Sequence, residues 1–535
     1  MLSFDTIVIG AGSAGSVIAA RLSADPTRRV LLLEAGGSDR SFLCKKPGMI
    51  ALIHTVPQLK ARYDWGYKTA PRAETLNRKI PYTRGRVLGG SSAINGMVFV
   101  RGNRANFDSW AAEGCEGWSF DDVLPLFKKL EDYDGGASSL RGTGGPIAVT
   151  TTAGLSPVSL AFQEAVAKSC GVDVLDDYNG EKQEGVGLVQ VSAKAGLRYS
   201  TSEGYLLPAM ARDNLTVWTG AQVLRLVLEG SRVVGVVVRH DGEEKTVRAD
   251  AEVVLSAGAI GSPQLLMLSG IGPADHLRSH GITVQADLPV GENLHDHLFF
   301  PLVFLAPRGG HRGTATHFFA SLLREVTAGK TWLGRSVFEV FAFLKSNPSA
   351  AIPDLQLHSL PWGYPAPNQD APGRPEVDPR PALTVMPTLI YPESRGEVRL
   401  RSASPDDAPH IDPHFLEAQA DVAQLMRGIE MSREIMGHAE VASEVRGELE
   451  PGPDFADMQA LRRELPNRVC TVYHPVGTCR MGVDARAVVD PQLRVRGIEG
   501  LRVADASIMP SITGGNTNAP CIMIGEKCAE LLGAR

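Results

Sequence analysis

The chain has no Cys-x-x-Cys pair, no block of basic residues and no uninterrupted apolar run long enough to cross a bilayer. Each absence closes a class of protein. Seven cysteines, at positions 44, 115, 170, 470, 479, 521 and 528, are odd in number and widely spaced. That pattern supports neither a disulfide framework nor a zinc knuckle, and reads as buried, reduced thiols. The net charge of −6, with Lys and Arg spread along the chain, argues against general affinity for nucleic acid or anionic membranes. A spanning helix needs about 18 or more apolar residues in a row, and none is present. No leader is visible: the strand-like run Asp5-Thr6-Ile7-Val8-Ile9 begins almost at once and enters a glycine loop. These features predict a cytoplasmic protein, and they leave peripheral attachment to the inner membrane open. Internal repeats and low-complexity tracts are also lacking.

What is present points to a nucleotide. At 535 residues, with 43% hydrophobic and 21% charged residues, the chain is long enough for two domains of ordinary globular composition. Ile7-Val8-Ile9 reads as a buried strand, Ser13 to Ala24 carries small and apolar residues at helical spacing, and Val30-Leu31-Leu32-Leu33 reads as a second buried strand. Between them Gly10-Ala11-Gly12-Ser13-Ala14-Gly15 fits G-x-G-x-x-G. Its glycines allow a tight turn and close approach to a pyrophosphate, which then lies at the positive end of a helix. Glu34 closes the unit, where a carboxylate can accept hydrogen bonds from ribose hydroxyls. An adenine dinucleotide is therefore expected, and NAD and FAD fit this fingerprint equally.

Further along, periodicity fades between Pro47 and Gly96, which suggests a long excursion over the surface or over the cofactor. Val223–Leu228 and Val233–Arg239 read as strands around a Gly-Ser turn, and Glu252–Leu255 as another buried strand. Residues 300 to 470 have a different texture, with a proline-rich stretch from Pro361 to Pro387 and an amphipathic helix around Asp421 to His438. The proline-rich stretch is expected to border the substrate entrance.

Several stretches, in order along the whole chain, resemble the glucose-methanol-choline oxidoreductases. Arg86-Val87-Leu88-Gly89-Gly90-Ser91-Ser92-Ala93-Ile94-Asn95-Gly96 is similar to that family's first signature, and Gly258 to Leu266, continuing to Gly272, to its second. Gly291-Glu292-Asn293-Leu294-His295-Asp296-His297 is similar to a third stretch, with His295 where the family often has Gln. Tyr473-His474-Pro475-Val476-Gly477-Thr478-Cys479, Arg502 to Ser507 and Gly515-Asn516-Thr517-Asn518-Ala519-Pro520 complete the set. The last of these resembles the choline and aliphatic alcohol dehydrogenase branch.

The resemblance implies a mixed α/β fold: a Rossmann-like FAD-binding domain with an inserted sheet-and-helix substrate-binding domain. The expected boundaries are 1–155, 205–300 and 475–535 for the first, and 156–204 and 301–474 for the second. It selects FAD over NAD. Beyond Gly10, Gly12, Ser13, Ala14, Gly15 and Glu34, it places Ala35, Arg86, Leu88, Gly89, Ser91, Asn95, Gly96, Met97 and Val98 against the cofactor. Val223, Ala257, Asp505, Ala506, Asn516 and Thr517 join them. Small residues in the first signature let backbone N–H groups face the flavin closely. Some relatives attach FAD to a histidine after the Gly-Gly pair. Here Ser91 to Ile94 follow and no histidine lies between His54 and His240, so non-covalent FAD is expected.

Alcohol oxidation needs a base near the hydroxyl with a pKa near the working pH, and imidazole is suited to it. The resemblance assigns this to His474, with Asn518 as the amide that donates to the developing alkoxide. Glu339 lines up with a glutamate that faces a quaternary ammonium group, a buried pairing with Arg335 being the competing reading, and His358 with a pocket histidine. His295-x-His297 has no companion ligands, so no metal is expected. The implied activity is oxidation of a primary alcohol to an aldehyde, with an alcohol oxidase using O2 or a hydroxynitrile-lyase-like activity as alternatives. A light-driven decarboxylase is disfavoured by the presence of His474. The sequence names neither the alcohol, nor the electron acceptor (quinone, dye or O2), nor the oligomeric state.

Overall fold

The computed structural model describes residues 2–329, 331–365 and 377–534. The first strand, Ser3–Ile9, ends at Gly10, whose φ of +96° and position against Ser256 exclude a side chain. A Cβ there would lie 2.5 Å from the Ser256 carbonyl oxygen. The helix Gly15–Leu22 and the strand Val30–Glu34 follow, and the two strands pair in parallel from Thr6–Val30 to Ile9–Leu33. A helix is the natural crossover between parallel strands, and its buried Val17, Ile18 and Leu22 cover the sheet.

The sheet grows to the order Leu215–Thr219, Val30–Glu34, Ser3–Ile9, Glu243–Leu255, Arg232–His240, Gln222–Glu229. Its first four strands run parallel. The long strand Glu243–Leu255 forks: residues 243–248 pair antiparallel with Arg232–His240, whereas Val253–Leu255 pair in parallel with Leu501–Val503. A strand from the end of the chain thus returns to the nucleotide-binding sheet. It delivers Asp505 to the carboxyl ends of the parallel strands, where ligands bind in sheets of this kind.

A second sheet is antiparallel apart from one edge pair and is built around Val340–Leu344, Leu355–Leu360 and Ala382–Leu389, all buried throughout. Side chains alternate across it. Leu355 and Leu357 join Leu425 and Ile429 of the helix Gln419–Met436 in one apolar core, and Phe162 of the helix Pro157–Cys170 joins them. Gln356, His358 and Leu360 face the other way. Gly428 makes the helix approach possible, because a Cβ there would already stand 3.1 Å from Leu355 and Pro387. A separate core holds Ile7, Leu32, Val254, Leu501 and Ile522 under the first sheet. Leu298–Phe299 belongs to the second sheet, paired with both Ala382–Leu389 and Cys470–Thr471.

The excursion from Pro47 to Gly96 contains the short helices Ile50–Thr55 and Pro57–Tyr63, then folds back onto the glycine loop. Leu88 N–H donates to Gly37 and Gly89 N–H to Ala11, at 2.9 and 2.8 Å. Among the described residues no helix is long and apolar enough to cross a membrane.

Candidate active site

A cavity of about 1610 Å³ opens between the two sheets and reaches from Ser13 to His474. Ser91, Asn95, Gly96, Val98, Ala506, Asn516, Thr517, Asn518 and His358 line it as well. Of the expected entrance at 361–387, Trp362, Tyr364, Pro365, Val377 and Met386 line the cavity, and residues 366–376 lie outside the described residues.

One end of the cavity is shaped for a dinucleotide. The helix Gly15–Leu22 has no side-chain cap, so nothing of its own competes for its first N–H groups. Gly12 and Gly90 meet backbone to backbone: a Cβ on Gly90 would stand 2.7 Å from Gly12 Cα, whereas one on Gly12 would meet nothing closer than 4.0 Å. Asp505 stiffens the neighbouring turn by accepting from Gly258 N–H, the Ser262 hydroxyl and Ser507 N–H at 2.9, 2.5 and 2.8 Å. Ala257 N–H donates to Ser262 as well. Asn95 accepts from Met97 N–H and from Arg198, both at 2.8 Å, which supports the left-handed backbone of Met97 at φ +63°. Arg86 lies over the Trp65 ring. The Glu34 carboxylate accepts from Ala11 N–H and Gly36 N–H at 2.9 and 2.8 Å, and burial pushes it up to about 7. Ala35 follows it at the strand end, and Val223 sits in the strand Gln222–Glu229 opposite Val238.

The other end is built on His474. Its backbone N–H donates to Asp296 Oδ1 at 2.8 Å, and Asp296 Oδ2 takes the Thr471 hydroxyl. Tyr473, the preceding residue, is held in the left-handed region at φ +64°, which turns the imidazole into the cavity. The ring makes two contacts: Asn516 Nδ2 stands 3.2 Å from Nε2, and His297 Nδ1 stands 3.0 Å from Nδ1. Gln356 Nε2 reaches the Asn516 oxygen at 3.5 Å, so the Asn516 amide turns its NH2 towards the histidine. His474 Nε2 is then the acceptor. Its proton is on Nδ1, directed at His297. Burial is the largest effect on this imidazole, followed by His297, Arg84 and His358, and together they hold its pKa well below the usual histidine range. The ring is neutral at neutral pH, with its lone pair at Nε2.

Two of the expected residues are placed away from His474 by this geometry. The amide beside His474 is Asn516 and not Asn518. Thr517 already has helical backbone, at φ −88° and ψ 0°, so the chain turns into the helix Asn518–Leu531 and the two amides diverge. The Asn518 oxygen accepts instead from the Ser13 hydroxyl at 2.7 Å, tying the helix to the glycine loop. Glu339 does not line the cavity that holds His474. It lies in a separate space of about 340 Å³, and its carboxylate accepts from the backbone N–H and hydroxyl of Ser156 at 3.0 and 2.9 Å. Ser156 caps the helix Pro157–Cys170, so Glu339 is held at the N-terminus of that helix. Arg335 donates to the Gly154 carbonyl.

His358 does line the main cavity, packed on Phe341 and Phe338 at 4.5 and 5.6 Å between ring centroids. Neither ring nitrogen has a hydrogen-bond partner among the described residues, and burial pushes its pKa down to about 3. Gln356 was not singled out from the sequence, although it shares a strand face with His358 at i and i+2. His297 was read only as half of a metal pair.

A sheet that ends in a dinucleotide loop, joined through one cavity to a neutral histidine, is the architecture of a dinucleotide-binding enzyme. Comparison with known proteins resolves which. The GMC oxidoreductase N-terminal and C-terminal family models match residues 4–299 and 392–525. The chain belongs to the GMC oxidoreductases, and is an FAD-dependent enzyme acting on CH–OH donors. It is 40% identical to an oxygen-dependent choline dehydrogenase of Rhizobium johnstonii, over 98% of this chain and 95% of the relative. It is equally 40% identical to an alcohol dehydrogenase [acceptor] of Pseudomonas putida, over 99% and 95%. Among solved structures, pyridoxine 4-oxidase from Mesorbium loti superposes with a TM-score of 0.86 at 33% identity, covering 99% of both chains. Formate oxidase of Aspergillus oryzae superposes at 0.89 and 28%, covering 100% of this chain and 98% of the other.

The residues after Gly89-Gly90 offer no imidazole to the flavin. Acid or heat denaturation of the purified holoenzyme is therefore expected to release all yellow colour into the filtrate. Colour retained on the precipitated chain would contradict non-covalent binding.

Proposed function

We propose that this protein oxidises a primary alcohol to the aldehyde, with His474 as the base and Asn516 as its partner. The observation that carries this reading is His474 Nε2 at the cavity wall, 3.2 Å from the Asn516 amide nitrogen that donates to it. A substrate hydroxyl that replaces this contact donates its proton to Nε2 and accepts from Asn516 Nδ2, so the oxygen is stabilised as charge develops on it. FAD, when bound, supplies the acceptor for the hydride lost from the same carbon. His297 holds the Nδ1 side of the ring, and Gln356 keeps the Asn516 amide from turning over. The names of the dehydrogenase relatives, choline and alcohol, support a CH–OH donor of this kind.

Asn516 and Asn518 separate this arrangement from the one read in the sequence. Asn516→Ala removes the donor to the developing alkoxide and is expected to slow flavin reduction by alcohol by ~10²–10³. Asn518→Ala loses one neutral hydrogen bond to Ser13 and is expected to slow it by about fivefold or less, while weakening FAD retention. Single-turnover rates of both variants check this. A larger loss from Asn518→Ala than from Asn516→Ala would return the role to Asn518.

A further inference from the structure

Arg198 is a buried guanidinium on the short strand Leu197–Arg198, and among the described residues no Asp or Glu pairs with it. Its bonds go to three neutral oxygens. Nε donates to the Cys44 carbonyl at 2.9 Å, and Nη1 donates to the Ser92 carbonyl and the Asn95 amide oxygen at 3.1 and 2.8 Å. Burial lowers its pKa only to about 10, so it stays charged at neutral pH. A charge taken out of water without a counter-ion is costly to the fold. We infer that Arg198 is a positioning residue for the redox step: it fixes and polarises the Asn95 amide so that Asn95 Nδ2 donates to the flavin, and its charge raises the flavin's reduction potential. The inference rests on FAD occupying the cavity and not on the identity of the alcohol.

Three observations carry this. The Asn95 oxygen accepts from both Met97 N–H and Arg198, which leaves the amide one orientation. Asn95 lines the cavity, and its Nδ2 has no acceptor among the described residues. The stretch that carries Asn95 joins the two ends of the site. On one side Gly90 abuts Gly12 of the dinucleotide loop, and on the other a Cβ on Gly96 would stand 2.9 Å from Phe338, which packs on His358. A ring that is joined to a pyrophosphate at the glycine loop and takes a hydride beside His474 runs along this stretch. Hydride uptake brings two electrons and one proton, so the ring gains one negative charge. A buried cation acts on that charge through low-dielectric surroundings, and the amide between them transmits the polarisation as a hydrogen-bond donor. The bonds to Cys44 and Ser92 hold the guanidinium in place while it does so.

The test is the reduction equilibrium of the FAD-loaded enzyme against a reference dye, without oxygen and without alcohol. It compares wild type with Arg198→Met, Arg198→Lys and Asn95→Asp. Asn95→Asp keeps both accepted bonds and gives Arg198 a carboxylate partner, so it supports the fold while removing the donor. Arg198→Met and Asn95→Asp are each expected to shift the equilibrium towards oxidised flavin by about tenfold, equivalent to about 30 mV for two electrons. Arg198→Lys keeps the charge and is expected to stay within about threefold of wild type. A purely structural clamp would lower the thermal midpoint of both Arg198 variants and leave the equilibrium unmoved, which would overturn the inference. A shift in Arg198→Lys as large as that in Arg198→Met would show that the charge is not the cause. A shift in Arg198→Met without one in Asn95→Asp would remove the route through Asn95. Either result overturns the inference as well. If Arg198→Met does not retain FAD, Asn95→Asp decides: a shift of about tenfold sustains the inference, and an unchanged equilibrium ends it.

Discussion

His474→Ala keeps FAD bound and slows the alcohol-dependent loss of flavin absorbance by ~10²–10⁴, the range typical of removing a general base. The retained cofactor follows from the architecture, because His474 stands at the far end of the cavity from the glycine loop and takes no part in the turn at Asp505. The pH dependence of the wild-type enzyme adds a second signature. The pKa of His474 is lowered in the folded enzyme, so its competent, unprotonated form persists as pH falls through the usual histidine value. With a neutral alcohol the rate of reduction is expected to be flat from pH 8 to pH 6.5 and to fall only at lower pH. A limb centred at or above 6.5 that vanishes in His474→Ala would show that the histidine is not held neutral by its surroundings. Normal reduction in the variant would remove its role altogether.

The second large effect is on stability in acid. His295, His297 and His358 are buried and their pKa values are each lowered to about 3, principally by burial. The unfolded chain binds protons at these groups below about pH 6.5 while the folded chain does not, so acidification favours unfolding. At pH 5 each contributes ~2 kcal/mol against the fold, and the loss continues towards pH 3. Two buried carboxylates act in the opposite direction. Asp296, raised to about 6, and Glu34, raised to about 7, take up protons sooner in the folded state and offset part of the loss. Three imidazoles outweigh two carboxylates, so the thermal midpoint of the FAD-saturated protein is expected to drop between pH 7 and pH 5. His358 has no hydrogen-bond partner to lose among the described residues, so His358→Leu should flatten this drop measurably. An unchanged slope in that variant would mean that His358 takes up its proton alike in the folded and unfolded chain.

How much of this was legible in the chain depends on how local the cause is. The dinucleotide unit was readable because strand, glycines, helix and Glu34 follow one another closely along the chain. Gly10 and Gly15 both abut backbone that leaves no room for a Cβ. The buried strands at Ile7–Ile9, Val30–Leu33 and Glu252–Leu255, and the helix expected around Asp421 to His438 and found at Gln419–Met436, were readable from periodicity. The choice between Asn516 and Asn518 was not readable. It depends on where the last helix begins, a boundary set by packing against the glycine loop, and two residues of shift would exchange the two amides. Glu339 misled because its identity suits an ammonium group, whereas its direction is fixed by tertiary contact with Ser156, remote in sequence.

The most direct test of alcohol oxidation at His474 is anaerobic stopped-flow absorbance at the flavin band, mixing wild type and His474→Ala with hexanol, benzyl alcohol, hydroxymethylfurfural, sorbose and choline. Rapid bleaching of the wild type by at least one of these alcohols, slowed by ~10²–10⁴ in the variant, is the predicted result. An FAD-loaded wild type that none of these alcohols bleaches, or a variant that bleaches at the wild-type rate, would contradict it.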